Sequence, residues 1–496
     1  MIRRKISFPS AFTILFLVLI FAGILTYVVN AGAYATLTYD SVNDSLIETL
    51  PDGTNQVYAA TQDTLDQLGV ANVIEKFRDG SITNPVAIPG TYQKIEQQPQ
   101  GVSKLLLAPI QGVYDSIDII LFVFIMGGII GVINASGSIH AGIQALSRQT
   151  KGKEYLLIVF VTGLIALGGT TFGLAEEIIA FYPILIPVYL AAGYDPLICV
   201  GALYMGSSIG TMFSTTNPFS AVIGSNAAGI EFTDGMEYRL IGFLLGTLLV
   251  IGYLVLYGRK IKKNPELSLV YNDKPMQQVE EQNEFMEFHV RQKLILMIFF
   301  FSFIVMIYGV SKLGWWFEEM TALFLVSSFI VGVLAKIKEK EFIASFLSGA
   351  ADLMGVAFII GIARSINLVL DNGSISDTIL YHLSNLVSGM NANFFVITML
   401  LVFFILGFFI SSSSGLATLS IPIMAPLADA VGISREVIIT AFIFGQGIML
   451  FITPTGLILA SLEMVNVSYQ KWIRFVLPVM GLITLLAVCL LLIEII

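Results

Sequence analysis

Residues 167–187 read LGGTTFGLAEEIIAFYPILIP and carry two adjacent carboxylates, Glu176 and Glu177, immediately after a Gly/Thr-rich break. The segments on both sides of this stretch are almost entirely apolar. A carboxylate at membrane depth is costly and is kept mainly where it binds a substrate, an ion or a proton. If the chain lies in a membrane, this acid pair is therefore a candidate functional site.

The composition is that of a polytopic membrane protein. The chain has 496 residues, of which 56% are hydrophobic and 12% charged, and its mean hydropathy is +0.84. A soluble protein of this length needs more charged residues to cover its surface, and apolar runs of about 20 residues are long enough to cross a bilayer as helices. Cys199 and Cys489 both lie in apolar segments, so neither a disulfide nor a thiolate metal site is predicted.

Apolar segments and basic loops predict the spans and their orientation. The first apolar run is too long for a signal peptide and is interpreted as a retained span. Arg3, Arg4 and Lys5 place the N-terminus on the cytoplasmic side of a bacterial inner membrane. The C-terminus is then predicted outside. The acidic loop 31–114 is also predicted outside, as a surface excursion. The predicted spans are 9–29, 116–135, 238–257, 291–311, 319–336, 344–369 and 472–494, and the interrupted apolar regions are 154–191, 196–230 and 393–466.

An internal repeat relates the two halves of the chain. At an offset of 239 residues, Pro183 aligns with Pro422 and Gly193 with Gly432, and matched Pro and Gly positions are hard to obtain by chance. The segment before TTFG is basic, whereas the segment before SSSS lacks basic residues, so the halves are predicted to have opposite orientations. Inverted repeats are typical of secondary transporters, which bind substrate near the midplane between the repeats. The predicted fold is thus an all-α polytopic membrane protein of two inverted repeats.

Each half contains a Gly/Ser/Thr break and a broken helix. GGTTFGLAEE at 168–177 and SSSSGLATLS at 411–420 lie between short apolar arms, which predicts re-entrant helical hairpins. FSTTNPFS at 213–220 and FITPTGL at 451–457 place Pro beside hydroxyl side chains, which predicts discontinuous helices. The freed carbonyls and hydroxyls can coordinate a cation such as Na⁺, and the half-helix N-termini can receive a carboxylate. The predicted substrate- and ion-binding residues are Thr170, Thr171, Gly173, Glu176, Glu177, Ser214, Thr215, Thr216, Asn217, Ser411, Ser412, Ser413, Ser414, Gly415, Thr453, Pro454, Thr455 and Gly456.

Structural explanations compete with these functional ones. A single break can simply kink a helix or allow close helix packing, but four breaks in a matched arrangement favour a binding site. Glu176 and Glu177 are also compatible with an acid-rich first turn of a helix. Arg364 is the only base deep inside an otherwise apolar predicted span, and it can pair with a hairpin carboxylate, bind an anionic substrate or join two domains.

Several motifs together resemble the YfcC-like branch of the C4-dicarboxylate anaerobic carrier (DcuC-like) family, within the ion transporter superfamily. They are ISFPSAFTILFLVLIFAGILTYVV, STTNPFS, SSSSGLATLSIPIMAPLADAVGI and ITPTGLILASLEMVNVSYQKWIRFVLP. The resemblance implies a homodimeric, elevator-type carrier whose mobile transport domain holds both hairpins and both broken helices. Its transport domain would comprise 154–230 and 393–466, and its scaffold 1–153 with loop 31–114, 231–392 with the cytoplasmic loop 258–293, and 467–496. Better-known members carry Ser-Asn-Thr at both hairpin tips, whereas these tips read GTTFG and SSSSG.

The substrate prediction weighs two classes of small carboxylate. The family implies dicarboxylates and, for related members, amino acids including arginine and ornithine. Because Arg364 is the only candidate base for a second carboxylate, the residues favour an amino acid with its carboxylate on Ser411–Ser414 and its positive group near Glu176 or Glu177. A C4-dicarboxylate carrier is the alternative.

Other functional classes lack their sequence signatures. Neither H-E-x-x-H nor G-x-x-x-x-G-K-[ST] occurs, and no His/Asp cluster has catalytic spacing, so a membrane enzyme or a nucleotide-driven pump is not predicted. An ion channel would need an open pore, whereas broken hairpins favour an occluded site. No cofactor and no nucleic-acid partner are predicted, and Na⁺ symport, H⁺ symport and substrate exchange all remain open.

Overall fold

The computed structural model describes residues 9–495 apart from 71–72, 79, 81, 83, 150–151, 272–287, 314 and 388–389. Arg3, Arg4 and Lys5, on which the predicted orientation depends, and the central part of the predicted cytoplasmic loop lie outside the described residues.

Helices dominate the described part of the chain. In chain order they are α1 (Ala11–Val28), α2 (Gln62–Gln67), α3 (Ile74–Arg78), α4 (Val102–Asp115), α5 (Ile117–Ala135), α6 (Ser138–Gln149), α7 (Tyr155–Thr171), α8 (Tyr182–Ala191), α9 (Pro196–Val200), α10 (Gly206–Met212), α11 (Ile223–Ala228), α12 (Met236–Lys263), α13 (Val290–Leu313), α14 (Phe317–Ala335), α15 (Glu339–Asp352), α16 (Met354–Asn372), α17 (Ser376–Val387), α18 (Ala392–Phe409), α19 (Ser413–Ala430), α20 (Arg435–Leu450), α21 (Ile458–Met464) and α22 (Tyr469–Glu494). Among the described residues, α1, α5, α12, α13, α14, α16, α18 and α22 are long and apolar enough to cross a membrane. The protein is therefore a multi-pass membrane protein.

Two pairs of consecutive helices form a tightly packed frame. The predicted span 344–369 consists of two helices, because Leu353 separates the end of α15 from the start of α16. Ser116 separates α4 from α5 in the same way. Helix α4 packs on α16 and α5 packs on α15. Glycines permit this approach, since a Cβ on Gly349 would lie 2.2 Å from the carbonyl oxygen of Gly127. Sequence reasoning missed α4 because Lys104, Pro109 and neighbouring polar residues lower its hydropathy.

A small β-containing domain, here called the cap (residues 32–94), lies between α1 and α4 and corrects the all-α prediction. Its strands are β1 (Gly32–Ala33), β2 (Thr36–Asp40), β3 (Ser45–Thr49), β4 (Asn55–Ala59), β5 (Val86–Ala87) and β6 (Gln93–Lys94). An antiparallel sheet has the order β4-β3-β2-β5, with Thr36 opposite Thr49, and β1 pairs with β6. Short segments of alternating polarity inside the predicted loop 31–114, such as TLTYD and SLIET, form strands β2 and β3.

The cap is attached to helices in the second half of the chain. Tyr92 stacks on Tyr381 of α17 with ring centroids 4.1 Å apart, and Asp377 Oδ2 accepts a hydrogen bond of 2.9 Å from the amide of Tyr34. Strand β5 packs on α19. Burial raises the pKa of Asp377, which lies outside the candidate spans, to about 6. The cap is thus a docked part of the fold.

The same order of elements occurs twice in the regions that the sequence marks as interrupted. In residues 155–228, α7 and α8 are joined through tip 1 (172–177), and a helix running from α9 to α10 is separated from α11 by break 1 (213–217). In residues 392–464, α18 and α19 are joined through tip 2 (410–414), and α20 is separated from α21 by break 2 (451–457). Helix α18, predicted as a short hairpin arm, is 18 residues long and qualifies as a span by length.

Candidate functional site

The two tips and the two breaks surround one cavity of about 420 Å³. Small-molecule sites typically enclose roughly 300–1,000 Å³, so the cavity suits a metabolite. The predicted site residues that line it are Gly173, Glu176, Glu177, Asn217, Ser411, Ser412, Ser413, Ser414, Thr455 and Gly456. The predicted site residues that do not line it are Thr170, Thr171, Ser214, Thr215, Thr216, Gly415, Thr453 and Pro454.

Tip 1 owes its shape to a left-handed glycine. Gly173 has φ +80°, and its amide donates to the carbonyl oxygen of Gly168 at 3.1 Å, which ends α7. A Cβ at Gly173 would lie 2.7 Å from the ring of Phe219 and 2.9 Å from Oδ1 of Asn217. Both the backbone conformation and the close contact with break 1 therefore require glycine here.

Hydrogen bonds hold tip 1 against break 1. Asn217 Nδ2 donates to the carbonyl oxygen of Gly169 at 3.0 Å, and Asn217 Oδ1 accepts from the amide of Phe219 at 2.9 Å. The Thr215 amide donates to Thr170 Oγ1 at 3.0 Å, and Thr215 Oγ1 donates to the Thr170 carbonyl oxygen at 3.2 Å. Several groups predicted as cation ligands thus join the hairpin to the broken helix.

The acid pair ends tip 1 and begins a short 3-10 segment, Glu176–Phe181, that leads into α8. Glu177 is 9% exposed and its Oε2 accepts from the Ala175 amide at 3.0 Å, while Glu176 is half-buried. Both side chains line the cavity. Asp118 of α5 lines the same cavity and lies close enough to Glu176 to interact electrostatically. Three carboxylates therefore gather on one side of the site.

Arg364 of α16 pairs with Asp115, at the end of α4, and not with a hairpin acid. Both side chains line the cavity, with 43% and 38% of their surface exposed. Among the described residues this is the only ion pair of the cavity, so Asp118, Glu176 and Glu177 have no basic partner there.

Tip 2 presents hydroxyl groups and a helix N-terminus. Ser412 caps α19 by accepting from the amide of Gly415 at 3.2 Å. Ser411 Oγ accepts from Asn367 Nδ2 at 2.6 Å, which ties tip 2 to α16 one turn after Arg364. An anionic group at this end of the cavity would meet serine hydroxyls, a helix N-terminus and a guanidinium.

Break 2 lies beside the first broken helix. Tyr204 donates to the carbonyl oxygen of Leu450 at 2.6 Å, and the Thr453 and Thr455 hydroxyls lie 2.6 Å apart. Tyr204 belongs to a π-helical segment, Gly201–Met205, between α9 and α10. Widened turns of this kind are frequent at functional sites.

Sequence reasoning missed lining residues that come from outside the interrupted regions. They are Asp115, Asp118, Trp315, Trp316, Ile359 and Asn367, among others. Asp115 and Asp118 stand at the start of the predicted span 116–135, and only the packing of α4–α5 on α15–α16 turns them towards the site. Trp316 follows the end of α13 at a predicted interface, where aromatic residues are common.

One fully buried base also escaped prediction. Arg239, near the start of α12, is fully buried and donates to the carbonyl oxygens of Asp234 at 3.0 Å and Ser214 at 3.5 Å. Arg239 lies at the start of its span, so Arg364 is still the base deep inside a span among the described residues. Arg239 stabilises the backbone at break 1 and does not line the cavity.

Known proteins resemble this chain over almost its whole length. The family model of the C4-dicarboxylate anaerobic carrier, DcuC, matches residues 8–496. An uncharacterised protein of Haemophilus influenzae is 46% identical over 99% of this chain and 98% of its own length, and the "Putative basic amino acid antiporter YfcC" of Escherichia coli is 28% identical over 98% and 96%. Among solved structures, MtrF of Neisseria gonorrhoeae, from a class of antimetabolite efflux pumps, aligns with TM-score 0.40 and 16% identity over 99% of this chain and 96% of its own. The YdaH transporter of Alcanivorax borkumensis aligns with TM-score 0.36 and 14% identity over 98% of both chains.

Proposed function

The chain belongs to the C4-dicarboxylate anaerobic carrier family of membrane transporters, and we propose that it is a secondary transporter of an amino acid with a cationic side chain. The observation that carries this proposal is the charge of the cavity. Four carboxylates, Asp115, Asp118, Glu176 and Glu177, line it together with one guanidinium, Arg364, for a formal charge of −3. A dicarboxylate would add two negative charges to this site, whereas a cationic amino acid would offset part of its charge.

The two ends of the cavity suit the two ends of such a substrate. Its side-chain cation would lie between Glu176 of tip 1 and Asp118 of α5, since both acids lack a basic partner among the described residues. Its carboxylate would lie at Ser412–Ser414, where hydroxyls and the N-terminus of α19 donate hydrogen bonds. Arginine and ornithine fit this description. The name of the Escherichia coli relative, a basic amino acid antiporter, supports the same class.

The transport mechanism is proposed from how the cavity is divided between elements. One wall consists of the tips and breaks of residues 154–230 and 393–466, and the other consists of α5, α14 and α16. We propose that the first set moves as a transport domain against the second, in an elevator mechanism with two inverted repeats. The proposal includes a homodimer in a bacterial inner membrane, with the N-terminus inside and the C-terminus outside, and coupling to Na⁺, to H⁺ or to exchange.

Uptake into proteoliposomes tests the substrate class. We expect saturable uptake of labelled arginine or ornithine and no uptake of succinate or malate. Glu176→Gln should raise the KM for the cationic substrate roughly 10- to 100-fold, because it removes a charge-assisted contact. Glu318→Gln is the matched control, since Glu318 is exposed at the start of α14 and does not line the cavity.

Two results would contradict the proposal. Uptake of succinate or malate in place of arginine and ornithine would favour the C4-dicarboxylate carrier. Undiminished transport by both Glu176→Gln and Glu177→Gln would show that tip 1 does not bind the cation.

A further inference from the structure

The side of the cavity that holds the acids also holds two aromatic rings. Trp316, directly before α14, contacts Phe219 with ring centroids 5.5 Å apart and an interplanar angle of 62°. Phe219 follows break 1, and its ring lies against Gly173 of tip 1. Gly173 precedes Glu176 by three residues in the sequence. Both rings line the cavity. The aromatic pair therefore bridges α14 and the tip that carries the acid pair.

The Trp316 side chain is exposed enough to contact a ligand. Half of its surface, 50%, is accessible, although its ring contacts both Phe219 and Phe317. Its neighbour Trp315 is fixed by a hydrogen bond of 3.1 Å from its amide to the Gly309 carbonyl oxygen and by close packing of its ring on Gly309. Trp316 thus offers ring surface to the cavity from a position that Trp315 holds in place.

Apolar side chains adjoin the acids and the rings in the lining of the cavity, and such side chains distinguish two kinds of cation. Ile119, Ile178, Val310 and Met320 line the cavity near the acids and the rings. An ammonium group is compact and strongly hydrated, so it loses much hydration free energy among such side chains. A guanidinium is planar and weakly hydrated, stacks on aromatic faces and binds carboxylates through two parallel N–H groups.

We infer that Trp316 and Phe219 form a subsite that selects a guanidinium over an ammonium at the cationic end of the substrate. The inference rests on the proposed function and narrows it to substrates of the arginine type. The guanidinium plane lies against the Trp316 ring, and Glu176 and Asp118 accept hydrogen bonds from its edge. Trp316 is then a specificity-determining residue supplied from outside the two interrupted regions.

Binding measurements on the full-length protein in lipid nanodiscs test the inference. Wild type should bind arginine more tightly than ornithine. Trp316→Leu should weaken arginine binding roughly 2- to 30-fold, the range of a cation–π contact, and change ornithine binding by less than about twofold. Trp316→Phe should keep most of the preference, and Phe219→Leu should shift it in the same direction as Trp316→Leu. Phe301→Leu, on an exposed aromatic of α13 that does not line the cavity, is the matched control.

The possible failures can be told apart. An equal loss of affinity for arginine and ornithine in Trp316→Leu, or a wild-type preference for ornithine, would overturn the guanidinium subsite and leave the proposed function standing. Binding of neither amino acid by wild type would overturn the proposed function itself. Because Trp316→Leu and Phe219→Leu alter different elements, misfolding of one still leaves the other to decide.

Discussion

Substitutions of Asn217 can show whether this residue stabilises the fold or binds an ion. Its side chain is 1% exposed and makes two hydrogen bonds, to the carbonyl oxygen of Gly169 at 3.0 Å and from the amide of Phe219 at 2.9 Å. Asn217→Ala removes both hydrogen bonds and leaves the Gly169 carbonyl oxygen and the Phe219 amide without this partner. Each buried group left in this way costs about 1–3 kcal/mol, so the substitution should destabilise the protein by roughly 2–6 kcal/mol.

The chain contains a matched control for this substitution. Asn264 also precedes a proline and accepts a hydrogen bond from the amide two residues later, here Glu266, at 3.2 Å. Because the Asn264 side chain is exposed and makes no second hydrogen bond among the described residues, Asn264→Ala should cost about 1 kcal/mol or less. The assay is thermal unfolding of both variants in lipid nanodiscs, with and without Na⁺.

A third variant distinguishes a hydrogen-bonding role from ion coordination. Asn217→Asp keeps the acceptor for the Phe219 amide but places a carboxylate oxygen beside the Gly169 carbonyl oxygen, so it should also lower the unfolding temperature. If Asn217 instead coordinates Na⁺, the added charge would make Na⁺ stabilise this variant more than it stabilises wild type. That result, or equal losses in Asn217→Ala and Asn264→Ala, would refute the structural role.

Two further predictions concern the frame and the cap. Gly349→Ala places a Cβ 2.2 Å from a backbone oxygen of α5 and should destabilise the protein by roughly 1–3 kcal/mol in thermal unfolding, whereas Gly163→Ala, with open space around its Cβ, should not; equal unfolding temperatures would contradict this. Because the pKa of Asp377 is raised by burial to about 6 from an ordinary 3.8, the folded state binds a proton that the unfolded state lacks as the pH falls from about 6 towards 4. Stability should therefore rise by up to roughly 3 kcal/mol on acidification and fall as the pH rises through about 6. Asp377→Asn should flatten this pH profile of the unfolding temperature, and an unchanged slope would contradict the assignment.

The irregular parts of the fold were predictable because their causes are local. Proline in a helix and runs of Gly, Ser and Thr disrupt the backbone wherever they occur, so the tips and breaks could be located from the sequence. The acid pair could be located in the same way, since two carboxylates in an apolar region are conspicuous.

The opposite wall of the cavity could not be predicted, because it depends on packing between distant segments. Asp115 and Asp118 lie at a helix junction that faces the site only because α4 and α5 pack on α16 and α15. The partner of Arg364 is 249 residues away in sequence, and no periodicity connects the two. The strands of the cap were missed for another reason: each is five residues or fewer, too short for its alternation to stand out from loop.

The attachments of the cap have a kinetic consequence. Lys76 Nζ donates to the carbonyl oxygen of Ile230 at 2.8 Å, so the cap contacts the chain just after α11 as well as α17 and α19. If the proposed transport domain moves relative to α17, these contacts cannot all persist, and some must break in each cycle. Their free energy then contributes to the activation barrier of turnover and not to substrate affinity. In such a carrier, a folded appendage that does not line the binding site slows transport.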